Sequence, residues 1–148
     1  MGIIGQSIPV RDAAMKVTGQ FKYTADLEFP GMLHAKILFS PVPHARIKKI
    51  DTSRAEALEG VRGVVCYLNA PDTKEEIDGH KTERVFDDTV RYVGDKVAAV
   101  AADTVKIAEQ AVKLIQVEYE ELPFYTDPGE ALKEGAYPIH GESNIIFP

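Results

Sequence analysis

The sharpest hydrophobic pattern in the chain lies at residues 91–120, where three periods follow one another. Residues 97–102 are apolar without alternation and small throughout, the composition of a strand covered on both faces, which predicts a central position in a sheet. Asp103 is placed to cap a helix predicted over residues 104–114. At ~100° per residue, Val105, Ile107, Ala108, Ala111, Val112, Leu114 and Ile115 fall within one half of its wheel, and Lys106, Glu109, Gln110 and Lys113 take the other. Period two returns at Ile115, Val117 and Tyr119, with Gln116, Glu118 and Glu120 between them, as in a strand with one buried face. The stretch therefore reads as a βαβ unit whose helix folds back on the sheet through Val105, Ala108, Ala111, Val112 and Ile115.

A second unit of the same order precedes it. Residues 32–39 alternate, with Leu33, Ala35, Ile37 and Phe39 on one face and His34 and Lys36 on the other. Pro41 and Pro43 halt this strand, and residues 47–51 resume an extended course. Ser53 and Glu56 have the spacing of a capping box, Gly60 ends the helix they start, and residues 61–68 form another apolar strand. Residues 69–89 are rich in Asp, Glu, Lys and Thr and read as a solvated excursion, a loop or a hairpin. Upstream, residues 1–20 have no sustained period and predict an extended arm ending in the turn at Thr18-Gly19. Downstream, Pro123 breaks the last strand and Asp127-Pro128-Gly129-Glu130 supplies a cap, a first-turn proline and a reciprocal acid for a short helix running to Gly135. Residues 136–148 then form a tail carrying the apolar group Ile145-Ile146-Phe147.

The chain has 148 residues, 45% of them hydrophobic and 27% charged, an ordinary balance for one compact domain. A net charge of −6 argues against nucleic acid as a partner, because phosphate contacts need a cationic surface that acids do not offset. No apolar run approaches the ~20 residues of a membrane span, which predicts a soluble, cytoplasmic protein with no membrane partner. Cys66 is the only cysteine, so no disulfide framework can form.

Few residues have the spacing of a chemical site. His34, His44, His80 and His140 are separated by ten, thirty-six and sixty positions, which matches no ligand pair on one helix or hairpin. The adjacent acids Asp87-Asp88 and Glu120-Glu121 point to opposite faces when extended and cannot share a substrate. Cys66 lies inside an apolar strand, where a buried structural thiol is the expectation rather than a nucleophile. Neither phosphate-cradling glycine pattern, G-x-x-x-x-G-K-[ST] or G-x-G-x-x-G, occurs. Gly19, Gly31 and Gly94 read as turn glycines, and Tyr92 as an aromatic that packs in the core, with cover of an interdomain contact as the alternative.

Four blocks carry a family resemblance: DAAMKVTGQFKYTADLEFPGMLHAKILFSPVPHARIKKID at residues 12–51, RYVGDKVAAVAAD at 91–103, IQVEYEELP at 115–123 and DPGEAL at 127–132. In this order they resemble the N-terminal α/β hammerhead domain of the large, molybdenum-binding subunit of the xanthine dehydrogenase and aldehyde oxidase family. The resemblance runs from about Gly5 to Asn144. It implies an α+β hammerhead fold, with two strand-helix-strand units around a mixed sheet and a β-rich excursion between them, residues 1–148 forming a single domain. Arg11, Asp12, Asp26 and Arg46 resemble the family's polar positions, whose implied role is to form ion pairs that fix the arm or to meet the neighbouring cofactor domain, beside the plain reading as solvated surface charges.

What the resemblance implies about activity concerns a larger subunit, which hydroxylates a purine or an aldehyde with oxygen from water. Electrons leave through molybdenum, held by molybdopterin, to iron–sulfur clusters and often FAD. It assigns no catalytic, cofactor-binding or metal-ligating residue to this chain. The implied partners are the molybdenum-cofactor-binding domains of the same subunit, toward which residues 136–148 lead. Iron–sulfur and FAD subunits and a second copy of the chain are further candidates. Three readings stand: a non-catalytic structural and interface domain, a free-standing protein-binding module with the same fold, and an independent small enzyme. The first predicts a functional surface made by the two apolar ends, residues 3–10 and 145–147, and by strand-side aromatics.

Overall fold

A computed structural model describes residues 4–71, 76–77, 80–81, 84–140 and 143–145. They fall in two compact units, residues 1–32 and 33–148.

The first unit differs from the extended arm that the sequence predicts, since Ala13–Val17 is a short helix, α1. Lys16 pairs with Asp12 one turn earlier at 2.6 Å, and Thr18 donates to the Ala14 carbonyl at 2.7 Å, local contacts that an apolar period does not register. The Lys16 ammonium lies 5.2 Å from the centre of the Phe21 ring, and Phe21 meets Tyr23 edge-on at 5.0 Å. A 3-10 turn at Thr24–Asp26 follows, with the Asp26 carboxylate accepting from the Tyr23 amide. Of the polar positions that the resemblance singles out, Asp12 forms an ion pair within the arm, with Lys16.

The second unit contains β1 (His34–Phe39), β2 (Ala45–Asp51), α2 (Ser53–Glu56) and β3 (Val61–Cys66). There follow β4 (Glu76–Ile77), β5 (His80–Lys81), β6 (Thr89–Val90), β7 (Lys96–Ala102), α3 (Val105–Val112), β8 (Gln116–Glu121) and α4 (Pro128–Ala131). Strands pair as two three-stranded sheets, β1-β7-β3 and β6-β2-β8, and as the small β4-β5 pair within the excursion. The α+β class and the β-containing excursion match expectation, and β7 is central as predicted. The expected mixed sheet is corrected: among the described residues every strand pairing is antiparallel. Both edges of β7 are already occupied by β1 and β3, so the strand after α3 has no place beside it and joins the other sheet. Each strand-helix-strand unit therefore crosses between sheets.

Helix α3 is shorter than predicted and oriented almost as predicted. Ala108 and Ala111 are fully buried and Ile115 nearly so, while Lys106, Glu109, Gln110 and Lys113 face solvent. Val105 is the exception at 42% exposed, because a first-turn side chain leans back beyond the end of the sheet it would cover. The cap is Thr104, not Asp103: its extended backbone lets the hydroxyl accept from the Ile107 amide. Asp103 instead forms a two-pronged pair with Arg62 of β3, both contacts 2.7 Å.

The capping box at Ser53 is not formed either. Thr52 and Ser53 both take helical backbone angles, and the Asp51 carboxylate accepts from the Ser53 amide and hydroxyl instead. At α4 the prediction holds: Asp127 caps the Gly129 amide with Pro128 in the first turn, though Glu130 turns to Lys133 rather than back to the cap, and the helix stops at Ala131. Gly19, Gly31 and Gly94 all have positive φ, as expected of turn glycines.

The alternation of β1 is present with its burial reversed. The half-buried residues are His34, Lys36 and Leu38, and the outward ones are Ala35, Ile37 and Phe39. Helix α3 packs on the first face, where Lys36 reaches Glu109 at 2.9 Å. The aliphatic stem of a lysine covers apolar surface while its ammonium meets the helix acid, so a polar letter in the sequence stands at a packed position.

Candidate functional site

The antiparallel register sorts the β1-β7-β3 sheet into rows. Three rows, His34-Ala102-Val61, Lys36-Val100-Val64 and Leu38-Ala98-Cys66, lie on the face that α3 covers. Two rows, Ala35-Ala101-Gly63 and Ile37-Ala99-Val65, lie on the opposite face. Val100, Ala98 and Ala102 are fully buried, whereas Ala99 and Ala101 are only half-buried, and Ile37 and Val65 are each 37% exposed. The expectation that this strand is covered on both faces thus holds for one face only. The open face closes at one end, where Val97 is fully buried.

Beside this open face the loop before β7 is held by backbone bonds to Ser40, from Gly94 to the Ser40 carbonyl and from Ser40 to the Asp95 carbonyl. It carries Tyr92 at 51% and Val93 at 63% exposure, close in sequence to the strand and outward like Phe39 of β1. Tyr92 is therefore an exposed aromatic and not the packing one that the sequence suggests. The edge of β3 is treated differently: the Asn69 side chain accepts from the Cys66 amide and donates to the Val64 carbonyl, standing in for a neighbouring strand.

The opposite sheet is anchored to the segment that follows it. His44 is 2% exposed and its Nδ1 lies 2.6 Å from the Pro123 carbonyl, an acceptor, so Nδ1 carries the proton. Its backbone carbonyl accepts from Leu122, and its ring meets Tyr137 edge-on at 5.8 Å. Arg91 donates to the Ile139 carbonyl and pairs with Asp87 at 3.1 Å, and Asn144 ties Ala131, Tyr137 and Ile139 together. Among the described residues of the tail, Tyr137, Ile139 and Asn144 are thereby tied to one another and to Ala131. Ile145 is 56% exposed and Ile4, Ile8 and Val10 are exposed, while Ile3, Ile146, Phe147 and Pro148 lie outside the described residues.

The singled-out polar residues do not converge. His34 is half-buried on β1, His44 is the buried anchor, and His140 bridges Ser143; the side chain of His80 is outside the described residues. Asp87 serves Arg91, Glu120 meets Lys48 of β2 at 3.6 Å, and Arg46 stands opposite Glu120 in the ladder. Cys66 is buried. Among the described residues no three His, Cys, Asp or Glu side chains come together as a metal site. They offer no ligand set for a molybdenum centre or an iron–sulfur cluster. Among the described residues, clefts of about 320 Å³ beside Arg62 and Asn69, about 210 Å³ between α4 and Asn144 and about 120 Å³ along Lys49 and Glu118 are open to solvent.

Shifted titrations also trace structure. The Asp51 carboxyl is lowered by its Ser53 hydrogen bonds, Asp103 by Arg62 and Glu109 by Lys36, and burial pushes the Tyr119 phenol up. No two of these share a cleft in an acid–base arrangement. Because the Asp103 carboxyl titrates lower folded than unfolded, its contribution is present above the ordinary carboxylate value of about 4 and is lost as pH falls through the folded value. Arg62→Gln is accordingly expected to flatten the acid side of the stability curve, measured by urea denaturation across pH. An unchanged acid limb would show that the pair contributes nothing.

With this geometry in view, the aldehyde oxidase and xanthine dehydrogenase a/b hammerhead domain matches residues 18–123. The chain belongs to that family. The hammerhead chain is 46% identical over 146 residues to a probable xanthine dehydrogenase subunit of Bacillus subtilis (strain 168), covering 97% of this chain and 20% of that protein. It is 40% identical over 144 residues to the nicotinate dehydrogenase large molybdopterin subunit of Eubacterium barkeri, covering 97% and 34%. Among solved structures, quinoline 2-oxidoreductase from Pseudomonas putida 86 superposes with a TM-score of 0.83 at 40% identity, covering 93% of this chain and 19% of that one. The chain thus spans between a fifth and a third of the length of these relatives. The hammerhead fold expected from the resemblance is the fold observed. Sequence reasoning missed the open sheet face as part of the candidate surface; the alanine run of β7 was its one visible signal, since small side chains bury little by themselves.

Proposed function

We propose that this hammerhead domain is a non-catalytic structural and interface domain of a molybdenum hydroxylase large subunit. The observation that carries this reading is the pairing of a family fold over most of the chain with polar residues committed to caps, ion pairs and anchors, and with apolar residues left outward at Leu33, Phe39, Tyr92 and Val93. Such outward side chains gain most when another protein surface covers them. In the subunit the molybdenum cofactor, held by other domains, supplies the hydroxylation of a purine or an aldehyde with oxygen from water. Iron–sulfur and FAD components stand as electron acceptors. This chain's share is to present a rigid surface to the cofactor-bearing domains. The single, buried thiol suits a reducing cytoplasm.

The test is isolation of the protein from its native host with all attached polypeptide, followed by metal analysis. Stoichiometric molybdenum in the assembly is expected. An assembly without molybdenum, or a monomer of this chain alone at tens of micromolar by sedimentation, overturns the reading.

A further inference from the structure

We infer that the open face of the β1-β7-β3 sheet is the docking surface for the molybdenum-bearing polypeptide, and that it takes a single row of bulky apolar side chains. This rests on the function proposed above and adds which face is used and what fits it. Six residues form the face: Ala35, Ile37, Gly63, Val65, Ala99 and Ala101. The middle strand contributes only alanine, and the flanking strands contribute Ile37 and Val65 directly opposite Ala99. Strands lie ~4.8 Å apart, so these two walls stand roughly 9–10 Å apart over a floor of methyl groups. A trough of that width admits one row of Leu-, Met- or Phe-sized side chains lying along β7.

None of the six carries a charge, and a charged group laid on them would be desolvated without a partner. The occupant is apolar along its contact row. Its source follows from the relatives. In them the matched region is 15–34% of a longer polypeptide, so the same fold sits beside further chain that runs from about twice to nearly six times its own length. The opposite face of the sheet is already filled by α3, which leaves this one to receive a neighbour.

The experiment compares two samples by carbene footprinting: the protein from its native host with all attached polypeptide, and the 148-residue chain alone. Labelling of Ile37 and Val65 should fall by about tenfold in the native sample, as for side chains entering a desolvated contact centre. Val105, exposed on α3, should label equally in both. A chain carrying Ile37→Lys and Val65→Lys should keep its fold by circular dichroism and lose the molybdenum-bearing polypeptide by about tenfold in affinity. Should that variant misfold, the footprint of the unaltered protein still decides. Undiminished labelling in a molybdenum-containing assembly overturns the docking face and leaves the proposed function standing; absence of molybdenum overturns the function. Protection found in a homo-oligomer of this chain alone overturns the occupant.

Discussion

Replacing His44 by alanine is expected to lower stability by about 2–4 kcal/mol, among the largest effects of any single truncation here. The side chain is 2% exposed, so its loss leaves a hole that the surrounding elements can fill only partly. The Pro123 carbonyl, now 2.6 Å from Nδ1, would lose its donor, and because Pro123 is itself exposed to solvent the loss is that of an ordinary hydrogen bond, about 0.5–1.5 kcal/mol. The edge-on contact with Tyr137 adds about 0.5–1.5 kcal/mol. For a chain of this size the midpoint should drop by about 5–15 °C, read by thermal denaturation. His44→Asn, which keeps a donor near the same place, should recover part of the loss. Equal midpoints for the alanine variant and the parent would show that the anchor to residues 122–137 is dispensable.

Gly60→Ala should cost about 2–3 kcal/mol for a different reason. Gly60 has φ +87°, and an alanine there loses about 1–2 kcal/mol to the left-handed backbone. A Cβ at this position would also stand 2.7 Å from Cδ1 of Ile107 on α3. That methyl ends a flexible side chain, so it can move, at about 0.5–1.5 kcal/mol for leaving its rotamer. The Gly60 carbonyl accepts from Asp103, which couples this turn to the start of α3. Urea denaturation decides it: a midpoint within error of the parent would mean that the turn relaxes freely and that the close approach to Ile107 is unimportant.

Both positions show how far the letters of the chain reach. Gly60 was legible as a turn glycine, a local signal, although the helix expected to run up to it stops at Glu56 with Ala57 as its cap. Its contact with Ile107, forty-seven positions later in the sequence, was not. His44 looked like one of four scattered histidines. Only the return of the chain at Pro123 turns it into a buried anchor.

Helix α3 and the central place of β7 were determined by the sequence alone, since a 3.6-residue period and an unbroken apolar run each specify burial through neighbours a few positions away. The same holds for the Asp127-Pro128 start of α4. Which sheet a strand joins was decided by tertiary structure: β7 has two antiparallel neighbours, so β8 is excluded from its side and pairs with β2. The orientation of β1 was decided there too. Alternation says that two faces differ, and the packing of α3 chooses between them, placing Lys36 against Glu109 and leaving Ile37 outward. Strand patterns carry a period of two but no sign, and the sign comes from what packs on the sheet.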